Sequence, residues 1–330
     1  DEKEIKIMAK VKNFKTIFPA VSVPLNDDYS INEPEFRAYL RWIKSFYGKG
    51  IEGLVCNGHT GEITGLTRAE RKRVVEICSE ECGDVMTIIS GVNCENTAES
   101  IEMAKEAKEA GADGILLMPP HMWLRFGMNE NAPFEYVKDV AEGADIDIII
   151  HLYPATSKAF YPVETLIKMC KEIDHVKCIK MGTRVTSIYE HDVRLLRQEC
   201  PDISLITCHD ETLCVSWFPG MDGALIGFAG CVPELICPAR EVFANPEKHT
   251  LKEAQDWSDR IYYISQAIYG GGQPSGEAHA RLKEALVQRG VFSSGLMRKP
   301  VLPLNQEEKD WIAKGLAGSE LGKVDMTPYK

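Results

Sequence analysis

The chain has 330 residues, of which 44% are apolar and 26% charged, a composition typical of a globular protein with a large buried core. Its formal net charge of −11 argues against a nucleic-acid partner, because such binding usually requires a basic surface. No apolar stretch approaches the roughly 20 residues of a membrane span, and residues 1–12 are of mixed charge. We therefore expect a cytoplasmic protein with no membrane association and a small-molecule partner.

The 11 cysteines are spread over strand-like and helix-like segments. No Cys-x-x-Cys pair occurs, and neither Cys78 and Cys82 nor Cys231 and Cys237 have further ligands nearby at zinc-finger spacing. We expect reduced, mostly buried thiols, with which the odd count agrees.

Short β-branched or apolar runs alternate with segments of helical period from Thr16 onward, a pattern typical of parallel strands in βαβ units. The pattern predicts eight strands, each followed by a helix, and therefore a (β/α)8 TIM barrel of the α/β class. The predicted strands are Thr16 to Pro24, Gly53 to Asn57, Val85 to Val92, Gly114 to Met118, Asp147 to Tyr153, Val176 to Lys180, Ser204 to Cys208 and Gly223 to Phe228.

Helix starts and the end of the barrel can be read from local signals. Thr67 with Glu70 forms a predicted capping box, and Asn96 with Glu99 repeats the pattern. After the eighth strand the chain is helical, with predicted helices at 233–244, 251–269, 275–289 and 306–316. The resulting division is an N-terminal extension at 1–14, a barrel core at 15–232, and the last barrel helix with a C-terminal helical extension at 233–330.

Lys180 lies at the carboxyl end of the predicted sixth strand. Active sites of TIM barrels form at this end of the strands. An amine there loses hydration, which disfavours its ammonium form and makes it a nucleophile toward carbonyl groups, the chemistry of a Schiff base. For this segment alone, the alternative is a lysine that extends its amine to solvent.

The other predicted strand ends also carry polar groups. His151 and Tyr153 are two residues apart on the fifth strand and should share a face, where either could transfer protons, the imidazole more readily near neutral pH. They could equally be a packed structural pair. Gly58, His59 and Thr60 form a turn that could hold a carboxylate, or an ordinary strand-to-loop turn. The remaining candidates for substrate contact are His121, Trp123, His209, Gly227 and Phe228.

The histidines at strand ends do not predict a metal site. No His-x-His or His-x-x-x-His spacing places two imidazoles on one element. A lysine that forms a Schiff base also makes a Lewis acid unnecessary. We therefore expect neither a metal nor an organic cofactor.

Four segments of the chain, in order and at matching spacing, resemble the dihydrodipicolinate synthase and N-acetylneuraminate lyase family of class I aldolases. They are Thr16 to Val21 with Pro24 and Leu25, Gly58 to Glu62, Gly111 to Gly114, and Ile179 with Lys180. The resemblance implies a TIM barrel with a C-terminal helical extension and a homotetramer. It also implies a Schiff base between Lys180 and pyruvate or another 2-oxo acid, whose carboxylate His59 and Thr60 would bind.

The chain departs from the family pattern at several of these positions. The family has two small hydroxyl residues in the turn where this chain has His59 first. Residues 151–154 read His-Leu-Tyr-Pro where the family usually has Tyr-Asn-x-Pro, so His151 inherits the proton relay unless a bulge shifts the role to Tyr153. Thr156 replaces the arginine of the synthases, which argues against the lysine-pathway reaction.

These features together predict a class I lyase that makes or breaks a carbon–carbon bond of a 2-oxo acid bound to Lys180. His151, with Tyr153 or His209 nearby, would move protons, and Glu62 would brace the turn as an ionised carboxylate. Two alternatives stay open from the sequence. One is a Schiff-base dehydratase of a 2-keto-3-deoxy sugar acid, and the other is a non-catalytic barrel that binds 2-oxo acids.

Overall fold

Eight parallel strands form a closed barrel in this chain. A computed structural model describes residues 10–270 and 275–330. The strands are β1 (Ile17–Pro19), β2 (Gly53–Cys56), β3 (Thr87–Val92), β4 (Gly114–Leu117), β5 (Asp147–His151), β6 (Val176–Met181), β7 (Ser204–Thr207) and β8 (Gly223–Ile226). From β2 onward each strand pairs with the next, β8 pairs with β1, and two isolated bridges, from Ile17 to Ile51 and from Ala20 to Val55, close the ring between β1 and β2. The predicted TIM barrel is confirmed.

The predicted strands are longer than the observed ones, mainly at their carboxyl ends, except β6, which continues one residue beyond the predicted end at Lys180. The strand predicted to continue to Pro24 ends as β1 at Pro19, because the neighbouring strands end at Cys56 and Ile226 and leave it only isolated bonds. The strand predicted to end at Tyr153 ends as β5 at His151. There Leu152 still donates its N–H to the Lys180 carbonyl, at 3.1 Å, before Pro154 removes the next donor.

Thirteen helices are found in the described residues, and they surround and extend the barrel. They are α1 (Glu33–Lys44), α2 (Arg68–Cys82), α3 (Thr97–Glu109), α4 (Met122–Phe126), α5 (Ala132–Ala144), α6 (Val163–Glu172), α7 (Thr186–Glu199), α8 (Leu213–Trp217), α9 (Gly227–Cys231), α10 (Pro233–Ala244), α11 (Leu251–Tyr269), α12 (Gly276–Gln288) and α13 (Gln306–Gly318). The predicted bounds of α10 and α11 are confirmed, and those of α12 and α13 differ by one or two residues. None of these helices has the length and apolar character that crossing a bilayer requires.

The strands are buried on both faces, which explains their nearly continuous apolar sequences. Every residue of β2, β3, β4, β7 and β8 is buried. The first residue of β8, Gly223, has no room for a side chain. An added Cβ there would lie 1.9 Å from the carbonyl oxygen of Thr16, which immediately precedes β1. The eleven cysteines are all free thiols, nine of them buried.

The described part of the N-terminal extension is attached to the amino-terminal end of the barrel. The Lys10 amine donates to the carbonyls of Gly83 and Met86 and pairs with the Asp113 carboxylate at 2.5 Å. Residues 1–9 of the predicted extension lie outside the described residues. At the other proposed boundary, Val232 immediately precedes α10.

The capping box predicted at Thr67 is present. The Thr67 hydroxyl accepts the Glu70 N–H, and the Glu70 carboxylate accepts the Thr67 N–H at 2.8 Å. At Asn96 only half of the pattern forms, since its side chain accepts the Glu99 N–H without a reciprocal bond.

We expect Thr67→Ala to lower the free energy of unfolding by about 1 kcal/mol, because it leaves N–H groups of the first turn of α2 without a protein acceptor. Thr186 is a suitable control, since it is exposed in the first turn of α7, whose start has no side-chain cap. Thr186→Ala should change the stability by less than about 0.5 kcal/mol. Urea unfolding followed by circular dichroism measures both, and equal losses would contradict the capping role.

Candidate active site

A cavity of about 210 Å³ opens at the carboxyl ends of the strands. The side chains that line it come from the strand ends and from two helices of the C-terminal extension. They are Ala20, Gly58, His59, Thr60, Leu116, His151, Tyr153, Pro154, Lys180, Arg184, Cys208, Asp210, Leu225, Gly227, Tyr269 and His279. The cavity therefore lies where barrel enzymes place their active sites.

Lys180 is the lysine of this cavity, half-buried at the end of β6. Burial lowers its pKa below the ordinary value, because an ammonium group loses hydration there. The Arg184 guanidinium lowers the pKa further, whereas Cys208 and Asp210 raise it. The result is an amine with an increased neutral fraction, as nucleophilic attack requires.

His151 lies directly beside Lys180, its partner on the adjacent strand. The pairing of β5 with β6 has one irregularity, in which Ile148 pairs with Val176 and Ile149 with Cys178, so that Lys177 is passed over. The extra residue thus belongs to β6 and precedes the site, and β5 runs without a bulge to His151. His151 is therefore in register with Lys180, as a proton-relay role for His151 requires. Tyr153 also lines the cavity.

His59, His151 and Tyr153 form an aromatic cluster beside Lys180. The Tyr153 hydroxyl is hydrogen-bonded to His59 Nε2 at 3.3 Å, and the His151 ring lies 5.5 Å from the His59 ring and 4.9 Å from the Tyr153 ring. His151 Nδ1 is buried and has no hydrogen-bond partner among the residues that the structure describes. The cluster places two imidazoles and a phenol within reach of one bound molecule.

Both imidazoles are held neutral. Burial and then the Lys180 charge lower the pKa of His59 to about 3, and the same two causes lower the pKa of His151 well below its usual range. Burial also raises the pKa of Tyr153. His151 is therefore an uncharged donor or acceptor in this cavity near neutral pH.

The predicted carboxylate-binding turn lies at the cavity wall. Gly58, His59 and Thr60 all line the cavity, and Gly227 of the eighth strand end lies opposite. An added Cβ on Gly227 would be 3.5 Å from both the Thr60 and Tyr269 hydroxyl oxygens and would collide with Leu282 at 2.6 Å. Two hydroxyl groups thus approach Gly227, where a larger residue would require the Leu282 side chain to move.

The turn is braced from the C-terminal extension. Glu62, with a left-handed φ of 57°, forms a buried ion pair with Lys283 of α12, and the Lys283 amine also donates to the Leu296 carbonyl at 2.9 Å. His279 precedes Lys283 by one helical turn, so both lie on the same face of α12. The ion pair therefore orients the helix face that brings His279 to the cavity.

Two of the predicted contact residues from the loop after β4 lie outside the cavity lining. The His121 ring is hydrogen-bonded to the Asn93 side chain at 3.3 Å. The Trp123 ring packs edge-on against Tyr136 and Tyr161, with centroid distances of 5.6 and 6.3 Å. Substrate contact by either residue stays a prediction.

His209 and the Phe228 side chain also lie behind the lining residues. The buried His209 ring packs at 4.8 Å from the Tyr189 ring. Phe228 packs edge-on against Tyr269 at 5.4 Å, and its backbone N–H donates to Asp210 at 2.8 Å. Their predicted substrate contacts are likewise untested.

Sequence reasoning missed the five other titratable lining residues, which are Arg184, Cys208, Asp210, Tyr269 and His279. Side chains alternate between the two faces of an extended chain, so Cys208 and Asp210 should point to the side opposite to His209. This alternation after β7 could have located Cys208 and Asp210 in the cavity. Arg184 lies in the loop between β6 and α7, whose sequence has no periodic pattern that would predict its conformation. Tyr269 and His279 belong to the extension, and no local pattern predicts that its helices return to the barrel.

The Arg184 guanidinium links the loops after β6 and β7. It donates to both Glu211 carboxylate oxygens, at 2.7 and 3.4 Å, and to the carbonyls of Gly182 and Cys208. Its charge therefore acts on the cavity from a fixed position. Within residues 10–270 and 275–330, no group of three or more His, Cys, Asp or Glu side chains is placed to hold a metal ion.

The fold and the lysine-containing cavity define a barrel enzyme whose site lies at the strand ends. The sequence profile of the dihydrodipicolinate synthetase family matches residues 13–318. The chain therefore belongs to the dihydrodipicolinate synthetase family, and it is a lyase of that family.

Relatives match over nearly their whole length at low identity. A 4-hydroxy-tetrahydrodipicolinate synthase of Bartonella bacilliformis is 26% identical over 94% of this chain and 99% of its own. An uncharacterized DapA-like lyase of Pyrococcus horikoshii is 30% identical over 88% and 95%. The protein is thus a divergent member of the family.

Solved structures agree with the fold. YagE, a prophage protein of this family from Escherichia coli K12 solved with pyruvate, superposes with a TM-score of 0.83 at 21% identity, covering 93% of this chain and 99% of its own. A monomeric dihydrodipicolinate synthase variant superposes with a TM-score of 0.82 at 19% identity, covering 93% and 97%. The homotetramer expected from the sequence stays a prediction.

We expect Lys283→Met to lower the free energy of unfolding by roughly 3–5 kcal/mol, because it leaves the Glu62 carboxylate buried without its cation. The control is Lys252→Met, which removes an exposed ion pair with Asp256 and should cost less than about 1 kcal/mol. Thermal and urea unfolding compare the two variants. A loss for Lys283→Met no larger than that of the control would show that the buried pair does not brace the turn.

Proposed function

We propose that the protein is a class I lyase in which Lys180 forms a Schiff base with pyruvate or another 2-oxo acid, and that it makes or breaks a carbon–carbon bond of that substrate. The observation that carries the proposal is the desolvated Lys180 amine in the strand-end cavity. Burial favours the neutral amine, which attacks the C2 carbonyl and gives an iminium after loss of water. The iminium accepts the electron pair of the bond between C3 and C4.

The turn at Gly58, His59 and Thr60 would bind the carboxylate of the 2-oxo acid. The turn supplies an uncharged donor, the Thr60 hydroxyl, while the Arg184 guanidinium, and the iminium once it forms on Lys180, supply positive charge. A buried anion is stabilised by such donors and by the nearby positive charges. The binding of pyruvate by YagE, a structural neighbour, supports the choice of substrate class.

His151 and Tyr153 are the groups that would transfer protons while the carbinolamine forms and loses water. His151 is the better placed by register, since it pairs with Lys180 across the strands. Tyr153 is connected to the turn through its hydrogen bond with His59. We assign the relay to His151 and give Tyr153 the role of orienting His59.

Borohydride reduction in the presence of pyruvate should add the mass of the reduced adduct to Lys180, located by digestion and mass spectrometry. Lys180→Met should abolish the labelling, because no other lysine lines the described cavity. Lys177→Met is the matched control on the same strand, since the Lys177 side chain is exposed and bonds to the Asp174 carbonyl. Folded protein that gains no label on Lys180 from pyruvate or from a panel of 2-oxo acids would overturn the proposal.

Replacement of the relay residue should slow imine formation by roughly 10²- to 10⁴-fold, the usual contribution of a positioned proton-transfer group. We expect this loss for His151→Asn and a smaller one for Tyr153→Phe. Single-turnover borohydride trapping of pyruvate at a series of quench times gives both rates. A larger loss for Tyr153→Phe than for His151→Asn would transfer the relay role to Tyr153.

A further inference from the structure

Asp210 is the only carboxyl residue that lines the described cavity. It follows β7 at the start of a short 3-10 helix, Asp210–Thr212, and its side chain is buried. One carboxyl oxygen, Oδ1, accepts the Phe228 N–H at 2.8 Å, which fixes the orientation of the group. The carboxyl is thus held in the same cavity as Lys180.

The charged and titratable groups around Asp210 leave it without a direct counter-ion. Those that face it are Lys180 of β6, Arg184 of the following loop, its neighbour Glu211, Tyr269 of α11 and Cys231 of α9. Arg184 pairs instead with Glu211 at 2.7 Å, and no described cation forms an ion pair with Asp210. A buried carboxyl group in this position can gain or lose a proton more easily than one fixed in an ion pair.

We propose that Asp210 is a catalytic residue that takes the proton of the substrate C4 hydroxyl and returns it to C3. This inference rests on the proposed function. As the C3–C4 bond breaks, its electron pair forms the C2–C3 double bond of an enamine, and the iminium electron pair moves to the Lys180 nitrogen. The oxygen keeps the electrons of its O–H bond and becomes the aldehyde carbonyl, while the proton passes to Asp210. Protonation of C3 by Asp210 then restores the iminium for hydrolysis.

The other groups of the cavity are poorly suited to this step. Burial lowers the pKa of His59 to about 3, that of His279 to about 4 and that of His151 well below its usual range, so these neutral imidazoles are weak bases. Burial raises the pKa values of Tyr153 and Tyr269, so their phenols hold their protons at neutral pH. General bases work best when their pKa lies near the working pH.

The groups around Asp210 favour a carboxyl that can gain and lose a proton near neutral pH. Burial raises the pKa of Asp210 to about 7, against the Phe228 N–H and the charges of Lys180 and Arg184, which lower it. Formation of the imine places a cationic iminium at Lys180, and a nearby positive charge favours the ionised carboxylate. The covalently bound substrate therefore keeps at Lys180 a positive charge that favours the ionised base.

Exchange of the pyruvate methyl hydrogens in D2O, followed by proton NMR, tests the C3 half of this step without the second substrate. We expect Asp210→Asn to slow this exchange by roughly 100-fold or more, because the amide cannot accept the proton. Borohydride trapping of pyruvate on Lys180 should stay within about threefold of wild type, since imine formation uses other groups. Circular dichroism verifies that the variant is folded.

Asp192→Asn is the matched control. Asp192 is a buried aspartate of α7 whose pKa burial raises to about 6, but it does not line the cavity. We expect it to change neither exchange nor trapping. In wild type the exchange rate should rise with pH as the carboxyl ionises, and Asp210→Glu should restore part of the exchange with its own pH dependence.

The outcomes are distinguishable. Loss of exchange with trapping retained supports the assignment. Exchange within about threefold of wild type in Asp210→Asn overturns it, and so does loss of trapping in the folded variant, because Asp210 would then act before the enamine forms. If wild type itself does not trap pyruvate or any other 2-oxo acid, the proposed function fails and the role of Asp210 fails with it.

Discussion

The desolvation of the Lys180 amine is the constraint on which the rest of the site depends. An ammonium group at the end of a buried strand loses hydration, and the closed barrel prevents water from surrounding it. No described carboxylate forms an ion pair with Lys180 that would offset the lost hydration of an ammonium group. The burial therefore favours the neutral amine. The same lack of hydration that disfavours its charge makes the amine a nucleophile.

The polar groups around Lys180 are consistent with this arrangement. His59, His151 and His279 are held neutral mainly by burial, so they add hydrogen-bonding groups without adding charge. Arg184 contributes charge, but Glu211 and backbone carbonyls bind it and fix its position. The cavity is therefore suited to an anionic ligand, which would supply the negative charge that the protein groups do not.

The C-terminal extension is part of the site rather than an appendage to it. Helix α12 is attached to the turn after β2 by the buried pair of Glu62 and Lys283, and one turn earlier it brings His279 to the cavity. Helix α11 ends at Tyr269, whose hydroxyl approaches Gly227, as the Thr60 hydroxyl does. A change in the packing of these helices would consequently alter the geometry of the substrate-binding turn.

Local patterns in the sequence determined the barrel and its central residue. Buried parallel strands and their helices have strong periodic signals, and a lysine at a strand end must face the barrel mouth whatever the details of packing. Those patterns located Lys180, the Gly58 to Thr60 turn and the pair His151 and Tyr153 in one cavity.

Only the tertiary structure decided which neighbours share that cavity and in which state. Burial depends on every element packed around a group, so the neutral form of His151 could not be inferred from its own strand. Side-chain direction beyond the strand ends depends on loop conformation, which turned Asp210 toward Lys180 and His209 toward Tyr189. Long-range packing brought Tyr269 to the site. The sequence did not predict this contact, because packing of an extension helix on the barrel leaves no periodic signal in either segment.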